Sequence, residues 1–494
     1  MGKVDLGDFQ TPKHLTDAIC EYLAKEGLKP DVLIEPTCGS GNFVISALKY
    51  FPSLRYVYCV EIQPKYEDEF HHNMASINLE YKAKIEFHND NIFTHKFSDD
   101  FLNVLKDNPY ILILGNPPWV TNAEISRLGG DNIPPKMNIK RYKGIDALTG
   151  KSNFDISEYI ILHMIKQFCE WKGTIAMLCK TSVAKNIIQS APLFNLKIRN
   201  AKLLLIDAKK EFNVNASAGL FIADFGYEVT TTCKVSSFYC PSKETRKFGW
   251  YNSKFVSDIE LYKRYGFLDG VSPFEWRQGV KHDASKILIL KKTQDGLING
   301  LGEKVEIEEE FLYPFVRGSK LRASEVKDTA NMIILTQKRL GDNTSILKEY
   351  PKLWDYLTSH AKYLDGRKSR VYKDRFSIFG IGPYVFKPYK VAICGLYKEP
   401  NFSLIYPING KPAILDDTSY YLSFDSLEEA VQVWKMLNSD CVKKFMLANA
   451  FLDSKRPFTK ELLNRIDLSK LQILVGENED IPELLKRQTT PSSS

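Results

Sequence analysis

Short, almost wholly apolar runs alternate with amphipathic stretches through the first half of the chain. These runs are 32–34, 56–60, 110–114, 174–178 and 202–206. Near-continuous apolar strands that are separated by helices are typical of a parallel sheet covered on both faces. The pattern therefore predicts a doubly wound α/β domain.

The pattern changes after about residue 230. Aromatic and basic residues mix there with glycine and proline, strand-like pieces outnumber βαβ units, and helical patterns return at 426–439 and 459–465. This change, in a chain too long for one ordinary core, predicts two domains. We place the first domain at 1–245, a second, mixed α+β domain at 246–475, and a disordered polar tail at 476–494.

The composition is that of a globular protein, with 44% hydrophobic and 26% charged residues and no run of eighteen apolar residues that could span a membrane. The N-terminus lacks the apolar stretch of a secretory signal, and the nine cysteines form no CxxC pair. We therefore expect a cytoplasmic protein without disulfides, a zinc cluster or another metal. The net charge of +7 suits a polyanionic partner, but many proteins without one are equally basic.

A glycine loop at 35–43 follows the first apolar strand and precedes a helical pattern. Gly39 and Gly41 let the backbone approach a ligand closely, at the sheet edge where doubly wound domains bind ligands. The loop lacks the third glycine of a dinucleotide fingerprint and the Gly-Lys-Ser/Thr of a P-loop, which weakens those two interpretations. Glu61 ends the second strand, where its carboxylate can accept hydrogen bonds from ribose hydroxyls. Asp90 follows the third strand, where its carboxylate can accept a hydrogen bond from an adenine amine. A single such acid is usually a solvated loop residue, but acids on successive strands predict a nucleotide site.

The motif Asn116-Pro117-Pro118-Trp119 follows the fourth apolar strand. Asparagine and proline are common in ordinary turns. However, two prolines stiffen the backbone, so the side-chain oxygen of Asn116 and the carbonyl of Pro117 can both face one amine. The lone pair of an aryl amine is delocalised into its ring, and two acceptors on its N–H bonds make the nitrogen a better nucleophile. The motif therefore predicts methyl transfer to such an amine, with Trp119 as a flat surface for a stacked base.

In this order, the motifs resemble those of the gamma-class adenine-N6 DNA methyltransferases of bacterial restriction–modification systems. The resemblance covers roughly residues 7–228 and also includes Asp8-Phe9-Gln10-Thr11-Pro12, a stretch at 151–159, and Phe212 ahead of a strand at 218–225. Two positions depart from the family pattern, because Glu35 replaces the usual aspartate and Trp119 replaces the usual tyrosine or phenylalanine.

The resemblance implies a Rossmann-like methyltransferase domain that uses S-adenosylmethionine to methylate the N6 amine of an adenine flipped out of double-stranded DNA. The residues that it places at the cofactor are Thr11, Glu35, Pro36, Cys38, Gly39, Gly41, Glu61, Ile62, Asp90, Asn91 and Asn116. The residues that it implies are catalytic are Asn116, Pro117, Pro118, Trp119 and Phe212. Phe212 would be a second wall of the base pocket, although most phenylalanines at such positions are core residues.

By the same resemblance, residues beyond about 250 form a target-recognition domain. Its expected DNA contacts are Arg277, Lys281, Arg367 and Arg370, since lysine and arginine bind phosphates and arginine also binds base edges. Basic clusters of this kind are more often solvated faces. We further expect a monomer without membrane association that protects DNA beside a separate restriction endonuclease acting independently.

Other enzymes methylate planar amines at Asn-Pro-Pro-aromatic motifs. A protein-glutamine methyltransferase and an RNA adenine methyltransferase are the nearest alternatives, but these enzymes are typically smaller and lack a long C-terminal region. An N4-cytosine enzyme usually has serine in place of Asn116. A non-catalytic DNA-binding module is disfavoured by the intact loops, and no metal-carboxylate pattern indicates a nuclease in the second half.

Overall fold

The computed structural model describes residues 10–77, 80–120, 155–369, 371–372 and 374–473. Predictions that concern Asp8, Phe9, 151–154, Arg370 or the tail at 476–494 lie outside these residues. The chain divides into two compact units, Met1–Ile259 and Glu260–Ser494.

The first unit alternates strands and helices. Its strands are β1 (Val32–Glu35), β2 (Tyr56–Glu61), β3 (Lys84–Asn89), β4 (Ile111–Gly115), β5 (Gly173–Lys180), β6 (Ile198–Ile206), β7 (Ala218–Phe225), β8 (Thr232–Ser237), β9 (Cys240–Tyr251) and β10 (Lys254–Val256). Its helices are α1 (Lys13–Lys25), α2 (Asn42–Tyr50), α3 (Lys65–Ala75), α4 (Asp99–Leu105), α5 (Ile156–Phe168), α6 (Thr181–Ser190) and α7 (Ala208–Phe212).

The strands of this unit form one sheet in the order β10-β9-β8-β6-β7-β5-β4-β1-β2-β3. Strands β3, β2, β1, β4 and β5 pair in parallel. Every residue of β1, β2 and β4 is buried, which requires that both faces of the sheet are covered. The predicted doubly wound α/β domain is therefore confirmed.

One edge of the sheet differs from the predicted parallel pattern. Strand β7 lies antiparallel between β5 and β6, β8 pairs in parallel with β6, and β9 and β10 follow β8 in antiparallel pairing. The connection from β6 to β7 contains only a five-residue helix, which is short for the crossover that a parallel pair requires. Residue 245 lies within β9, so the sheet of the first unit continues beyond that residue to Val256.

The second unit contains two smaller sheets and short helices. Its strands are β11 (Arg277–Gln278), β12 (Ile289–Thr293), β13 (Gly296–Ile298), β14 (Lys304–Val305), β15 (Leu312–Val316), β16 (Glu325–Val326), β17 (Asn331–Ile334), β18 (Tyr389–Cys394), β19 (Ser403–Ile405), β20 (Ile414–Leu415) and β21 (Ser419–Phe424). Its α-helices are α8 (Ile259–Tyr265), α9 (Ser285–Leu288), α10 (Pro351–Ser359), α11 (Ala361–Asp365), α12 (Leu427–Leu437), α13 (Asp440–Asn449) and α14 (Lys460–Leu463). One sheet has the order β11-β21-β18-β19-β16 and the other β14-β13-β12-β17-β15-β20, which confirms the predicted mixed α+β character.

The helical pattern at 426–439 corresponds to α12. The hydroxyl of Ser426 accepts a hydrogen bond from the backbone N–H of Glu429 and so caps the first turn. The helix buries Ala430, Val433 and Leu437, which lie on one face at helical spacing. Within the described residues, no helix is long and apolar enough to cross a membrane.

Lys390 is an unusual core residue of the second unit. It lies on β18, its side chain is fully buried, and its Nζ donates a hydrogen bond of 2.7 Å to the carbonyl of Lys387. Burial disfavours the charged ammonium and lowers the pKa of Lys390 to about 7. In the unfolded chain the amine has its ordinary, higher pKa, so unfolding above neutral pH takes up a proton.

We expect the free energy of unfolding to rise with pH between about 7 and 10, by up to ~1.4 kcal/mol per pH unit from this residue. Lys390→Met should remove that slope, which denaturant unfolding at a series of pH values measures. Lys292→Met, which replaces an exposed lysine on β12, is the matched control and should keep the slope. An unchanged pH profile in Lys390→Met would contradict the assigned pKa.

Candidate active site

A cleft opens at the carboxyl ends of β1 and β4, where the strand order of the sheet reverses. Connections leave these two neighbouring strands in opposite directions, which opens a crevice between them at this edge. The residues that line the cleft are Gln10, Thr11, Glu35, Thr37, Cys38, Asn42, Phe43, Glu61, Ile62, Gln63, Asn116 and Pro118. The glycine loop and the Asn-Pro-Pro motif, predicted separately, thus line one cleft.

The glycine loop has a backbone that other residues would strain. Gly41 has a φ of 85°, and a Cβ there would lie 2.8 Å from the ring of the buried Phe70. The side chain of Gln10 accepts a hydrogen bond from the hydroxyl of Ser40 at 3.1 Å. Asn42 donates to the carbonyl of Thr11 at 2.9 Å, so the N-terminal segment is fastened to the loop. Gln10 belongs to the N-terminal motif and Asn42 to the glycine loop, but neither was predicted as a site residue.

Glu61 fixes the loop from the neighbouring strand. Its two carboxylate oxygens accept the backbone N–H of Gly39 at 2.9 Å and that of Gln63 at 2.8 Å. The side chain is buried on the cleft wall, where an acceptor for ligand hydroxyls is needed. Pro36, Gly39 and Gly41, also predicted at the cofactor, do not line the cleft; they support its wall.

Glu35 is buried at the floor of the cleft. Desolvation, with smaller contributions from Cys59 and Glu61, raises the pKa of its carboxyl well above the usual range. Its Oε2 atom has no hydrogen-bond partner among the described residues. A buried carboxyl of this kind favours a positively charged ligand, which would supply both the missing partner and the charge that stabilises the ionised form.

Asn116 and Pro118 line the cleft, whereas Pro117 and Trp119 are buried. The indole Nε1 of Trp119 donates to the carbonyl of Leu178 at 3.3 Å. The Trp119 ring contacts Phe212 edge-to-face, with 5.2 Å between the ring centroids and 70° between the planes. The expected pair of walls with a base between them is therefore absent from this arrangement, because the two rings contact each other.

Glu211, the residue before Phe212, makes contacts that the sequence did not indicate. The Glu211 carboxylate is nearly buried, bonds His14 Nε2 at 2.7 Å and accepts a hydrogen bond from the Tyr239 hydroxyl at 3.0 Å. His14 belongs to α1 and is 197 residues away in sequence, so only the folded chain brings these groups together. The contact joins the segment after Thr11 to the helix that ends in Phe212.

Asp90 and Asn91 lie at the end of β3 but do not line the cleft. The Asp90 carboxylate is about half exposed and bonds His95 Nδ1 at 2.7 Å, which holds the pKa of Asp90 below its usual range. The other ring nitrogen of His95 bonds the Tyr58 hydroxyl at 2.8 Å. These contacts keep the carboxylate ionised and oriented at the sheet edge beside Glu61, whose carbonyl accepts the Asp90 N–H.

The predicted DNA contacts of the second unit have different surroundings. All five N–H groups of Arg367 have backbone carbonyl acceptors, namely those of Leu364, His282, Ser377, Asp374 and Arg375. This geometry gives Arg367 a structural role, in contrast to the expected phosphate contact.

Arg277 and Lys281 are partly exposed and paired. The Arg277 guanidinium lies over the Tyr384 ring and bonds Glu275. Lys281 donates to Ser369 at 3.3 Å and lies 3.5 Å from Asp283. Trp276, which the sequence placed in a mixed aromatic and basic segment, is fully buried and belongs to the core.

Residues 2–189 match the family model described as N-6 DNA Methylase. The type II methyltransferase M.NspV of Nostoc sp. is 39% identical over 485 residues, which cover 95% of this chain and 97% of that protein. The type II methyltransferase M.CvrRI of Paramecium bursaria Chlorella virus XZ-6E is 30% identical over 117 residues, 24% of this chain and 25% of its own length. Among solved structures, a modification subunit of a putative type I restriction enzyme from Vibrio vulnificus YJ016 has a TM-score of 0.30 and 15% identity, with 60% of this chain and 59% of that chain covered.

Glu35→Gln tests whether the buried acid serves a cationic ligand. The neutral amide removes the charge that a cation requires, so we expect affinity for S-adenosylmethionine to fall by roughly 10- to 100-fold in isothermal titration calorimetry. At a pH above the ordinary titration range of a glutamate, the unliganded variant should unfold at a higher temperature than the unchanged protein, because it has no buried carboxyl whose raised pKa favours unfolding. Retained affinity would show that Glu35 does not face the cation.

Proposed function

This chain belongs to the N-6 DNA methylase family, and we propose that it transfers a methyl group from S-adenosylmethionine to the N6 amine of an adenine in double-stranded DNA. The observation that carries the proposal is the shared cleft of Glu35, Glu61 and Asn116. Acids suited to a cationic nucleoside and an amide suited to an aryl amine lie there at one sheet edge.

The residues of the cleft fit S-adenosylmethionine, which supplies an electrophilic methyl group on a sulfonium when bound. Glu35, with an oxygen that lacks a described partner, is suited to the cationic part of this molecule, and Glu61 to its ribose hydroxyls. Asp90, kept ionised by His95, is suited to an adenine amine at the same edge. Thr11, Cys38 and Ile62 complete the walls.

The Asn116 side chain and the Pro117 carbonyl orient the substrate amine. Both are acceptors, so each can take one N–H of the amine and favour a more tetrahedral nitrogen with its lone pair toward the methyl group. The rigid prolines hold the two acceptors without reorganisation.

A paired adenine cannot reach such a cleft and has to leave the base stack. We place Phe212 on the wall that receives it. Because Trp119 packs edge-on against Phe212, entry of the base has to change this contact. Glu211 would then act as a positioning residue, which holds Phe212 through His14 and Tyr239.

We assign recognition of the DNA sequence to the second part of the chain, within 246–475. By this proposal the protein is a monomer in the cytoplasm and marks sites against a separate restriction endonuclease. Radiolabelled S-adenosylmethionine offered with DNA, RNA and protein separates the alternatives. Label in N6-methyladenine of DNA supports the proposal, and label in RNA or in glutamine of protein contradicts it.

We expect Asn116→Ala to reduce methyl transfer by at least a hundredfold, because the amine loses one of its two acceptors. Affinity for S-adenosylmethionine should stay within about threefold of the unchanged protein. Single-turnover transfer to DNA and calorimetric binding measure the two quantities. Asn103→Ala, at an exposed position of α4, is the matched control. Normal turnover in Asn116→Ala would exclude the catalytic assignment.

Glu211→Ala should lower kcat by roughly 10- to 100-fold, because Phe212 loses its anchor, while the KM for S-adenosylmethionine changes little. With 2-aminopurine at the target adenine, the fluorescence rise that reports base extrusion should be smaller than with the unchanged protein. Glu211→Gln keeps an acceptor for Tyr239 and should restore part of both signals. Equal fluorescence in all three proteins would limit Glu211 to a structural role.

A further inference from the structure

We propose that a polar pocket in the second unit, with Arg317 and Asp417 on its wall, recognises one G·C base pair of the target sequence through its major-groove edge. This inference rests on the proposed methylation of DNA and adds to it a specificity-determining site. The pocket measures about 430 Å³ and is lined by Lys281, His282, Asp283, Arg317, Asp416 and Asp417 among others.

Three chain segments meet at this pocket in parallel. Strand β15 pairs with β20, with Val316 opposite Leu415, so Arg317 and Asp416 emerge side by side from the same end. Val280 forms a further parallel bridge with Asp416, which brings the segment of Lys281 and His282 beside them. The register of the strands therefore decides which side chains line the pocket.

Asp416 has a structural role that makes the pocket rigid. Its Oδ2 atom accepts the backbone N–H of Gly318 at 3.0 Å, and its Oδ1 atom accepts the hydroxyls of Thr418 at 2.6 Å and Ser419 at 2.9 Å. A Cβ on Gly318 would lie 2.5 Å from the Thr418 hydroxyl, so a larger residue cannot replace this glycine without a shift. Hydrogen bonds of the Asp416 side chain therefore connect the loops that carry Arg317 and Asp417.

The backbone of Asp417 is fixed, but its carboxylate is open to a ligand. Its carbonyl accepts hydrogen bonds from Gln278 at 2.5 Å and from Arg456 at 3.0 Å. Its carboxylate is 40% exposed and lies 3.8 Å from Arg456, beyond hydrogen-bond distance. Burial raises the pKa of Asp417, and an N–H donor at the carboxylate would oppose that shift.

The guanidinium of Arg317 supplies hydrogen-bond donors, which complement the acceptor oxygens of the Asp417 carboxylate. Its side chain is exposed, and among the described residues none accepts a hydrogen bond from its guanidinium. Arg367, near the same pocket, has all its donors occupied by carbonyls, and Lys281 is engaged by Ser369 and Asp283. Arg317 is thus the lining cation whose planar set of N–H donors is directed to a ligand.

The combination of charges favours a base edge over a phosphate. A phosphate would be repelled by Asp283, Asp416 and Asp417, which line the pocket with the cations. Guanine offers the acceptors O6 and N7 to an arginine, and its partner cytosine offers an N4 amine to a carboxylate. With adenine in place of guanine, the N6 amine would face the guanidinium and the O4 acceptor of thymine would face the carboxylate, so both contacts would be unfavourable. With thymine in place of guanine, O4 and the adenine N6 amine still match the two side chains, but the thymine methyl group replaces the N7 acceptor, so the arginine loses one of its two hydrogen bonds.

The test determines the methylated sequence for the full chain and its variants. Each protein is incubated with plasmid DNA that carries a randomised segment, and single-molecule sequencing locates N6-methyladenine. We expect Arg317→Gln and Asp417→Asn each to lose about 10- to 100-fold of discrimination at one and the same G·C position of the unchanged protein's site. Arg322→Gln replaces an exposed arginine that does not line the pocket and should leave the site unchanged.

Three results would overturn the inference: an unchanged site in both variants, relaxation at an A·T position, or a uniform loss of rate on all sequences, as a phosphate contact predicts. Arg317→Lys keeps the charge and should retain partial preference for guanine, which keeps the test decisive if Arg317→Gln folds poorly. Failure of the proposed function is distinguishable, because the unchanged protein would then leave no N6-methyladenine in any DNA.

Discussion

The parallel pairing of β1 with β4 is the interaction on which the candidate active site depends. Residues 32–34 lie opposite residues 111–113, and all six side chains are fully buried. Burial of each aliphatic side chain contributes roughly 1.5–3 kcal/mol, so this register is strongly favoured. It brings Glu35 and Asn116 to one edge although they are far apart in sequence. A slip by one residue would turn Glu35 to the opposite face of the sheet and separate the acid from the amide.

The two buried acids of this edge have different tasks because their hydrogen bonds differ. Glu61 accepts two backbone N–H groups, so its charge stabilises the glycine loop before any ligand arrives. Glu35 has an oxygen without a described partner and a raised pKa, so it destabilises the unliganded protein. Burial of this kind is maintained at functional sites, where a ligand supplies the missing interaction. The glycine loop is therefore formed before a ligand binds, whereas the Glu35 carboxyl gains its missing interaction only from a bound cation.

The apolar runs were sufficient to predict β1, β2, β4, β5 and β6, because a continuous apolar run is typical of a strand that is covered on both faces. The run at 110–114 became β4 at Ile111–Gly115, and the strand at 218–225 became β7. The antiparallel direction of β7 was not predictable, since direction depends on how the connection packs. The glycine loop and the Asn-Pro-Pro motif were identifiable because their chemistry is local. Glu211 was not, because its role depends on partners in α1 and in the segment after β8.

Charge along the sequence does not show which basic side chains have hydrogen-bond donors available, and two arginines of the second unit illustrate this. Arg367 lies in a run of basic residues, yet its guanidinium is half-buried and bonded to five carbonyls, so a phosphate could bind it only after those bonds break. Arg317 lies outside that run, but the register of β15 and β20 places it on the wall of a pocket. Its guanidinium N–H groups have no acceptor among the described residues, and the Asp417 carboxylate lines the same pocket. Under our proposal an isolated basic side chain becomes a recognition element through hydrogen-bond donors that the fold leaves available, and the sequence alone does not show this availability.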